Sequence, residues 1–215
     1  MKPGCLVLLA GDSRRMGRPK QHVMLAGRCF LDHILERLRA VRNWLGTVIM
    51  IGREGDDAGR QRAVDFGALW VENPHPEDGP LSSIRCGLCR LPGDVGFLLW
   101  PIDHPLPGVP IVRSLLQQAE MTPDRIVVPS IGGRRGHPSH FPVWSRVELE
   151  AAPLDAGARW VLQQHPERII HVETEDIWVR ENLNTPESLA RAELLLSTRA
   201  DSEKAPCVPA GPTVK

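Results

Sequence analysis

Short apolar runs alternate with segments of helical periodicity along most of the chain. The runs are too short for helices and are bounded by turn residues, which is typical of strands buried on both faces of a sheet. They occupy residues 5–10, 47–51, 68–71, 95–100, 125–129 and 168–172. Between them, apolar residues recur every three or four positions, as at 31, 34, 35, 38 and 41 and at 112, 115, 116 and 119. This alternation predicts an α/β fold with a mainly parallel sheet covered by helices on both faces.

The pattern becomes less regular after His137. An aromatic, strand-like piece at 140–144 is followed by Pro153, which predicts a small antiparallel insertion beside the main sheet. From Thr198 the chain has three prolines and almost no periodic apolar residues, so it cannot bury enough apolar surface to order itself. We therefore expect one domain over residues 1–197 and a disordered tail over residues 198–215.

The composition argues against several classes of protein. Lysine plus arginine and aspartate plus glutamate number 26 each, so no global basic field would draw the chain to nucleic acid or to an anionic membrane. No stretch approaches about 18 uninterrupted apolar residues, and the first residues do not resemble a signal peptide. We expect a cytoplasmic protein with neither nucleic acid nor membrane among its partners.

The five cysteines form no recognisable disulfide framework. Their number is odd and they are scattered along the chain, which fits a reducing compartment. Cys86 and Cys89 have C-x-x-C spacing, but no second pair or histidine cluster accompanies them, and they fall within a helical stripe formed by Leu81, Ile84 and Leu88. We interpret both as buried helix cysteines rather than as metal ligands or a redox pair.

The loop after the first apolar run has the residues of a phosphate site. Residues 11–20 read Gly-Asp-Ser-Arg-Arg-Met-Gly-Arg-Pro-Lys. The two glycines let backbone N–H groups approach an anion, and Arg14, Arg15 and Lys20 could neutralise a polyphosphate. The spacing matches neither the P-loop nor the G-x-G-x-x-G fingerprint, because Lys20 follows Gly17 by only three residues. The segment predicts an anion-binding loop, although an ordinary basic strand–helix loop has a similar composition.

A single carboxylate, Asp103, follows another buried run and is framed by Pro101 and Pro105. The prolines stiffen the loop, and ligands of open α/β sheets bind beyond the carboxyl ends of the strands. Magnesium binds through one or two carboxylates together with phosphate oxygens, so one aspartate beside a triphosphate loop is enough. Asp103 is therefore the candidate metal ligand. A turn or helix-capping aspartate is the alternative.

Several motifs, taken together, resemble a known family. The run L-x-A-G-x-S-x-R-M-G-x-P-K from Leu8 to Lys20 resembles the nucleotide-binding loop of MobA-like NTP transferases, which include molybdenum cofactor cytidylyltransferase and guanylyltransferase. Five further matches follow in order: Asn73 with the segment 79–85, the P-x-D-x-P segment 101–105, Gly136-His137-Pro138, the segment 155–159, and Asn184-Thr185-Pro186-Glu187. Two positions depart from the family pattern, Leu9 in place of alanine and Asn184 in place of aspartate.

The resemblance implies a Rossmann-like three-layer sandwich of the nucleotide-diphospho-sugar transferase type and assigns roles to particular residues. Arg15, Lys20 and Asp103 would be catalytic, and Asp103 with Asn184 would hold Mg²⁺. His137 would contact the acceptor. The residues expected to bind nucleotide are Leu9, Ala10, Gly11, Ser13, Arg15, Lys20, Gly79, Ser82 and Ser83.

Three of these roles have structural alternatives. Asn184 precedes a helix start and could simply cap it, and one of Ser82 and Ser83 could cap the helix that begins beside Gly79. A histidine in a loop, such as His137, is often structural, although function concentrates on loops. These alternatives remain open at the level of sequence.

The implied reaction is nucleotidyl transfer, in which an acceptor phosphate attacks the α-phosphorus of a nucleoside triphosphate and pyrophosphate leaves. At position 10 the chain has alanine, which resembles the pattern of the cytosine-using members of the family. The alanine methyl group would narrow the space beside the base and exclude a purine more than a pyrimidine. We therefore expect a magnesium-dependent cytidylyltransferase that transfers CMP from CTP to the molybdopterin form of the molybdenum cofactor.

Transfer to a sugar phosphate is one alternative function. A non-catalytic chaperone that hands the cofactor to a molybdoenzyme is another.

Overall fold

The computed structural model describes residues 1–11 and 19–204, with side chains up to residue 198. The strands are β1 (Gly4–Leu8), β2 (Met24–Leu25), β3 (Arg28–Cys29), β4 (Val48–Gly52), β5 (Leu69–Glu72), β6 (Phe97–Pro101), β7 (Ile126–Ile131), β8 (Arg134–Arg135), β9 (Ser139–Phe141) and β10 (Ile169–Glu173). The helices are α1 (Phe30–Ala40), α2 (Asp57–Phe66), α3 (Pro80–Leu88), α4 (Val109–Met121), α5 (Ser145–Ala151), α6 (Arg159–Gln164) and α7 (Pro186–Lys204).

The central sheet has the strand order β10-β7-β9-β6-β1-β4-β5, with β8 paired to β7. β1 lies between β4 and β6 and is parallel to both, and β10 is parallel to β7. β9 runs antiparallel between β6 and β7. All six strands predicted from apolar runs are present, and the mainly parallel sheet is confirmed.

The antiparallel insertion is also present, but its strand is shorter than the predicted piece at 140–144. β9 ends at Phe141, and Trp144 lies at the start of α5 instead. Pro142 ends the strand because proline has no N–H to donate to the ladder. Its carbonyl accepts hydrogen bonds from the backbone N–H and the hydroxyl of Ser145, which starts the helix.

Helices cover both faces of the sheet, as the continuous apolar runs predicted. Successive residues of a strand point to opposite faces. Cys5, Val7 and Leu9 accordingly pack with α1 on one face, whereas Leu6 and Leu8 pack with α3 on the other. α2, α4 and α7 contribute buried residues to the first face, and α5 and α6 contribute to the second. The domain is therefore a three-layer sandwich.

The interpretation of the two helix cysteines needs correction. Cys86 is half-buried and Cys89 is exposed, because α3 ends at Leu88 and Cys89 lies off its buried stripe. The described thiols, Cys5, Cys29, Cys86 and Cys89, are all free.

The last helix, α7, extends beyond the boundary predicted at Thr198 and reaches Lys204. Ala192 is buried against the first face of the sheet, and Leu189, Leu195 and Leu196 pack beside it. Residues 205–215 lie outside the described part of the chain. Within the part that is described, no helix combines the length and apolar character needed to cross a membrane.

Candidate functional site

A cavity of about 540 Å³ opens at the carboxyl edge of the sheet. The ends of β1 and β6 form its floor through Leu8, Pro101 and Ile102. The start of α3 and the segment 155–159 form its walls. Ligands of open α/β sheets bind at this edge, so the cavity lies where the fold favours a binding site.

Lys20 and Asp103 meet in this cavity. Lys20 Nζ lies 3.8 Å from Asp103 Oδ2, and it also donates a hydrogen bond to Asn184 Oδ1. Asn182 Nδ2 donates to the same Asp103 oxygen at 2.9 Å. Three of the predicted site residues, far apart in sequence, therefore form one polar cluster, together with Asn182.

The loop after β6 is fixed by backbone contacts that orient Asp103. The N–H of Ile102 donates to the carbonyl of Leu8 at 3.1 Å, and the N–H of Leu183 donates to the carbonyl of Asp103 at 2.9 Å. The following helix, α4, begins beyond Gly108, and no described backbone N–H bonds the Asp103 carboxylate. The helix-capping alternative for Asp103 therefore has no support in the described residues, whereas the residue does lie in a turn, which the N–H of His104 closes by donating to the carbonyl of Pro101.

The residues present fit a magnesium ion bound through one carboxylate. Asp103 Oδ1 is buried and has no hydrogen-bond partner among the described residues. The amide oxygen of Asn184 belongs to the same cluster, and carboxylate and amide oxygens are hard ligands of the kind that magnesium accepts. No group of three or more histidine, cysteine, aspartate or glutamate side chains suited to a metal occurs among residues 1–11 and 19–204. Substrate phosphates and water would complete the coordination.

The two serines at the start of α3 have different partners. Asn73, which is buried, donates hydrogen bonds to Ser82 Oγ at 2.8 Å and to Ser83 Oγ at 2.9 Å. Ser82 then donates to the carbonyl of Gly79 and does not line the cavity. Ser83 lines the cavity and has no described acceptor for its own hydroxyl hydrogen. Ser83 can therefore donate to a ligand, whereas Ser82 holds the helix start.

Gly79 shapes the entry to α3. Its φ of +87° lies in the region that glycine adopts readily and side-chain-bearing residues avoid. The residue lines the cavity, so the turn brings bare backbone to the site.

His137 lies against a second histidine that the sequence did not assign. The rings of His104 and His137 are 4.8 Å apart between centroids, and both residues line the cavity. Burial, together with the nearby His104, lowers the pKa of His137 to about 4, and the negative charge of Asp103 only partly opposes this. Burial also lowers the pKa of His104. Both rings are therefore uncharged at neutral pH, and each has an Nδ1 without a partner in the described part of the chain.

Near the end of β1, some of the predicted nucleotide-binding residues line the cavity and others do not. Leu9 is buried in the core with α1 and is not among the residues that line the cavity. Ala10 is also buried, and its carbonyl accepts a hydrogen bond from Arg53 Nε at 2.9 Å. Leu8 and Gly11 line the cavity instead. Ser13 and Arg15 lie outside the described residues.

Sequence reasoning missed Asn182, His104 and Arg159 as lining residues of the cavity. Asn182 stands two residues before Asn184, a spacing that places both side chains on one side of an extended segment. That signal was available in the sequence. His104 and Arg159 adjoin or belong to quoted motifs, but only their positions in the fold show that they face the cavity.

Comparisons with known proteins agree with this arrangement. The model of the MobA-like NTP transferase domain matches residues 5–169. Molybdenum cofactor guanylyltransferase of Cereibacter sphaeroides is 33% identical over 199 residues, which cover 89% of this chain and 95% of that protein. A molybdenum cofactor guanylyltransferase of Rhizobium meliloti is 31% identical over 219 residues, which cover 94% of this chain and 95% of that protein.

A solved structure shows the same fold. The crystal structure of molybdopterin-guanine dinucleotide biosynthesis protein A from Archaeoglobus fulgidus has a TM-score of 0.69 at 20% identity, over 92% of this chain and 100% of that one. Both the family match and the identity to full-length relatives agree with the motifs that meet at the cavity. The chain therefore belongs to the family of MobA-like NTP transferases.

Proposed function

We propose that this protein transfers GMP from GTP to the phosphate of the molybdopterin form of the molybdenum cofactor and releases pyrophosphate. The observation that carries nucleotidyl transfer is the meeting of Lys20 and Asp103 in one cavity at the carboxyl edge of the sheet. The acceptor and the guanine base are inferred from relatives named molybdenum cofactor guanylyltransferase, which match nearly the whole chain.

Guanine replaces the cytosine expected from sequence for two reasons. The expectation of CTP depended on the Ala10 methyl group narrowing the base pocket, but Ala10 is buried and is not among the residues that line the cavity. With that argument gone, the names of the relatives favour GTP.

Several residues at or near the cavity would have roles that suit this reaction. Lys20, with Arg15, would neutralise the triphosphate and the leaving pyrophosphate. Asp103 and Asn184 would hold magnesium, which supplies further charge neutralisation at the phosphates when it is bound. The Ser83 hydroxyl would donate to the base or ribose. Little covalent work falls to the protein, because phosphoryl chemistry of this kind depends on positioning and electrostatics.

His137 would act on the acceptor as an uncharged group. Burial lowers its pKa to about 4, so the ring is uncharged at neutral pH. An uncharged imidazole can still exchange one hydrogen bond with the acceptor.

The test is pyrophosphate release with a panel of donors and acceptors. GTP, CTP, ATP and UTP are each combined with magnesium and with either purified molybdopterin or glucose 1-phosphate. We expect release only with GTP and molybdopterin. Release with glucose 1-phosphate would move the protein to sugar-phosphate transfer, and release with CTP would restore the cytidylyl assignment. Binding of the cofactor without any release would favour the insertion chaperone.

A further inference from the structure

The turn that carries Lys20 contacts a carboxylate at the start of α2, Asp56. Lys20, Gln21 and His22 form one turn of 3₁₀ helix. Gln21 Nε2 donates to Asp56 Oδ2 at 2.6 Å, and His22 Nε2 lies 2.8 Å from Asp56 Oδ1. Gln21 is only 2% exposed, so its contact with Asp56 is shielded from water. Both residues that directly follow Lys20 are thus bound to the same side chain.

Asp56 is itself fixed at the start of α2. It is the N-cap of that helix, and its Oδ1 accepts the N–H of Gly59 at 2.9 Å. The space beside it is available because residue 59 is glycine, where a Cβ would collide with Asp56 Oδ2. Burial alone would raise the pKa of Asp56, but the hydrogen bonds from Gly59, Gln21 and His22 outweigh it and hold the pKa below its ordinary value. The carboxylate is therefore charged and accepts three hydrogen bonds.

The same connection between β4 and α2 also reaches the end of β1. Arg53, three residues before Asp56, donates its Nε hydrogen to the carbonyl of Ala10 at 2.9 Å. Residues 53–56 thus contact the chain on both sides of residues 12–18, at Ala10 before them and at Gln21 and His22 after them.

We propose that Asp56 is a positioning residue for Lys20. A lysine ammonium sits on a flexible four-carbon stem, so its location depends on a fixed backbone at its base. Asp56 supplies that fixed base through Gln21 and His22, and Lys20 Nζ can then reach Asp103. Capping α2 requires only one carboxylate oxygen of Asp56, which accepts the N–H of Gly59. The second oxygen accepts a hydrogen bond from Gln21, which capping does not require. The proposal rests on the proposed function, which assigns Lys20 to the triphosphate.

The first test compares Asp56→Asn with Asp57→Asn. Asparagine caps helices about as well as aspartate, so Asp56→Asn keeps the start of α2 but removes the charge and one acceptor. Asp57 lies next in the same helix and is exposed, so its substitution removes the same charge without the contacts to the Lys20 turn. We expect kcat/KM for GTP to fall by about tenfold to a hundredfold in Asp56→Asn and to stay within about twofold in Asp57→Asn. Gln21→Leu, which breaks the contact from the other side and leaves the cap intact, should give a loss of similar size.

The second test asks whether Asp56 acts through Lys20. In a Lys20→Ala background, Asp56→Asn should cause no further loss, because the group that it positions is already absent. A purely structural role would lower activity by the same factor in both backgrounds. Undiminished loss in the Lys20→Ala background, or full activity of Asp56→Asn, would overturn the proposal.

A third measurement does not depend on turnover. The N–H groups of His22 and Val23 are bonded to the carbonyls of Pro19 and Lys20. Hydrogen exchange at these two amides should become faster in Asp56→Asn and stay unchanged in Asp57→Asn. Unchanged exchange in Asp56→Asn would contradict the anchoring. A wild-type protein that releases no pyrophosphate would contradict the proposed function instead, and the exchange measurement would still decide whether Asp56 anchors the turn.

Discussion

Lys20 Nζ lies 3.8 Å from Asp103 Oδ2, and both side chains are mostly shielded from solvent. A cation and an anion at this distance stabilise each other. The negatively charged triphosphate, with its metal ion, would bind beside this pair. Asp103 keeps its other oxygen unpartnered within the described chain, so the pair leaves a ligand position open.

We expect Asp103→Asn to lower kcat by about a hundredfold or more while leaving the melting temperature nearly unchanged, since it removes the charge that would hold magnesium and preserves the shape. Lys20→Ala should raise KM for the nucleotide as well as lower kcat. Asp94→Asn is the matched control, because Asp94 is exposed near the opposite end of β6. Near-normal turnover of Asp103→Asn would place the metal elsewhere.

Nucleotide preference should appear in thermal stability. We expect GTP with magnesium to raise the melting temperature by roughly 5–10 °C at a concentration about 100 times its dissociation constant, and CTP at equal concentration to raise it less. A thermal-shift series with GTP, CTP, UTP and ATP measures this directly. A larger shift with CTP would favour cytidylyl transfer.

The two serines of α3 should separate into one that affects stability and one that affects binding. Ser82→Ala removes a hydrogen bond to Gly79, so we expect a loss of about 1 kcal/mol in the free energy of unfolding. Ser83→Ala removes a donor that faces the cavity and should raise KM for the nucleotide about fivefold with little change in kcat. Denaturant unfolding and steady-state kinetics on both variants check the separation, and the reverse pattern would exchange their roles.

His140 should make the fold sensitive to acid. Burial lowers its pKa from 6.5 to about 4, and a hydrogen bond to the Arg125 backbone only partly opposes this. Between these two pH values the unfolded chain binds a proton that the folded chain does not, so stability is complete above pH 6.5 and falls as the pH drops toward 4.

The free energy of unfolding should therefore decrease less between pH 6.5 and 4 in His140→Gln than in the wild type, by on the order of 3 kcal/mol. Denaturant unfolding across that pH range measures the difference. His171→Gln is the control, because His171 is exposed on β10. An equal pH dependence in wild type and His140→Gln would show that His140 is protonated in the native state at its ordinary pKa.

Truncation can test the prediction that residues 198–215 form a tail that the fold does not need. Removal of all residues after Ser197 should change the melting temperature by less than about 2 °C, because the packed residues of α7 precede this point. Removal of everything after Ala190 also deletes Ala192, Leu195 and Leu196, and it should lower the melting temperature by several degrees more. A large drop in melting temperature on removal of the residues after Ser197 would mean that the tail packs on the domain.

The spacing of apolar residues along the sequence identified the strands and helices that have a regularly buried face. The six parallel strands are short apolar runs, and α1, α3 and α4 each present a continuous apolar stripe. α2 was not predicted, because only Gly59 and Ala63 of its residues are buried and neither gives a periodic apolar signal. β9 was predicted too long, since the end of the strand depends on Pro142 and the hydrogen bonds of Ser145.

The sequence by itself determined the fold class and made Lys20 and Asp103 candidate site residues, because these follow from residue types and short spacings. Only the tertiary structure decided that Asn182 joins them, that Ser83 and not Ser82 faces the cavity, and that Leu9 and Ala10 lie in the interior. The contact of Asp56 with the Lys20 turn likewise joins two strand–loop connections that are remote along the chain. Such contacts depend on strand order and on the direction of each side chain, and neither is encoded in the spacing of a single segment.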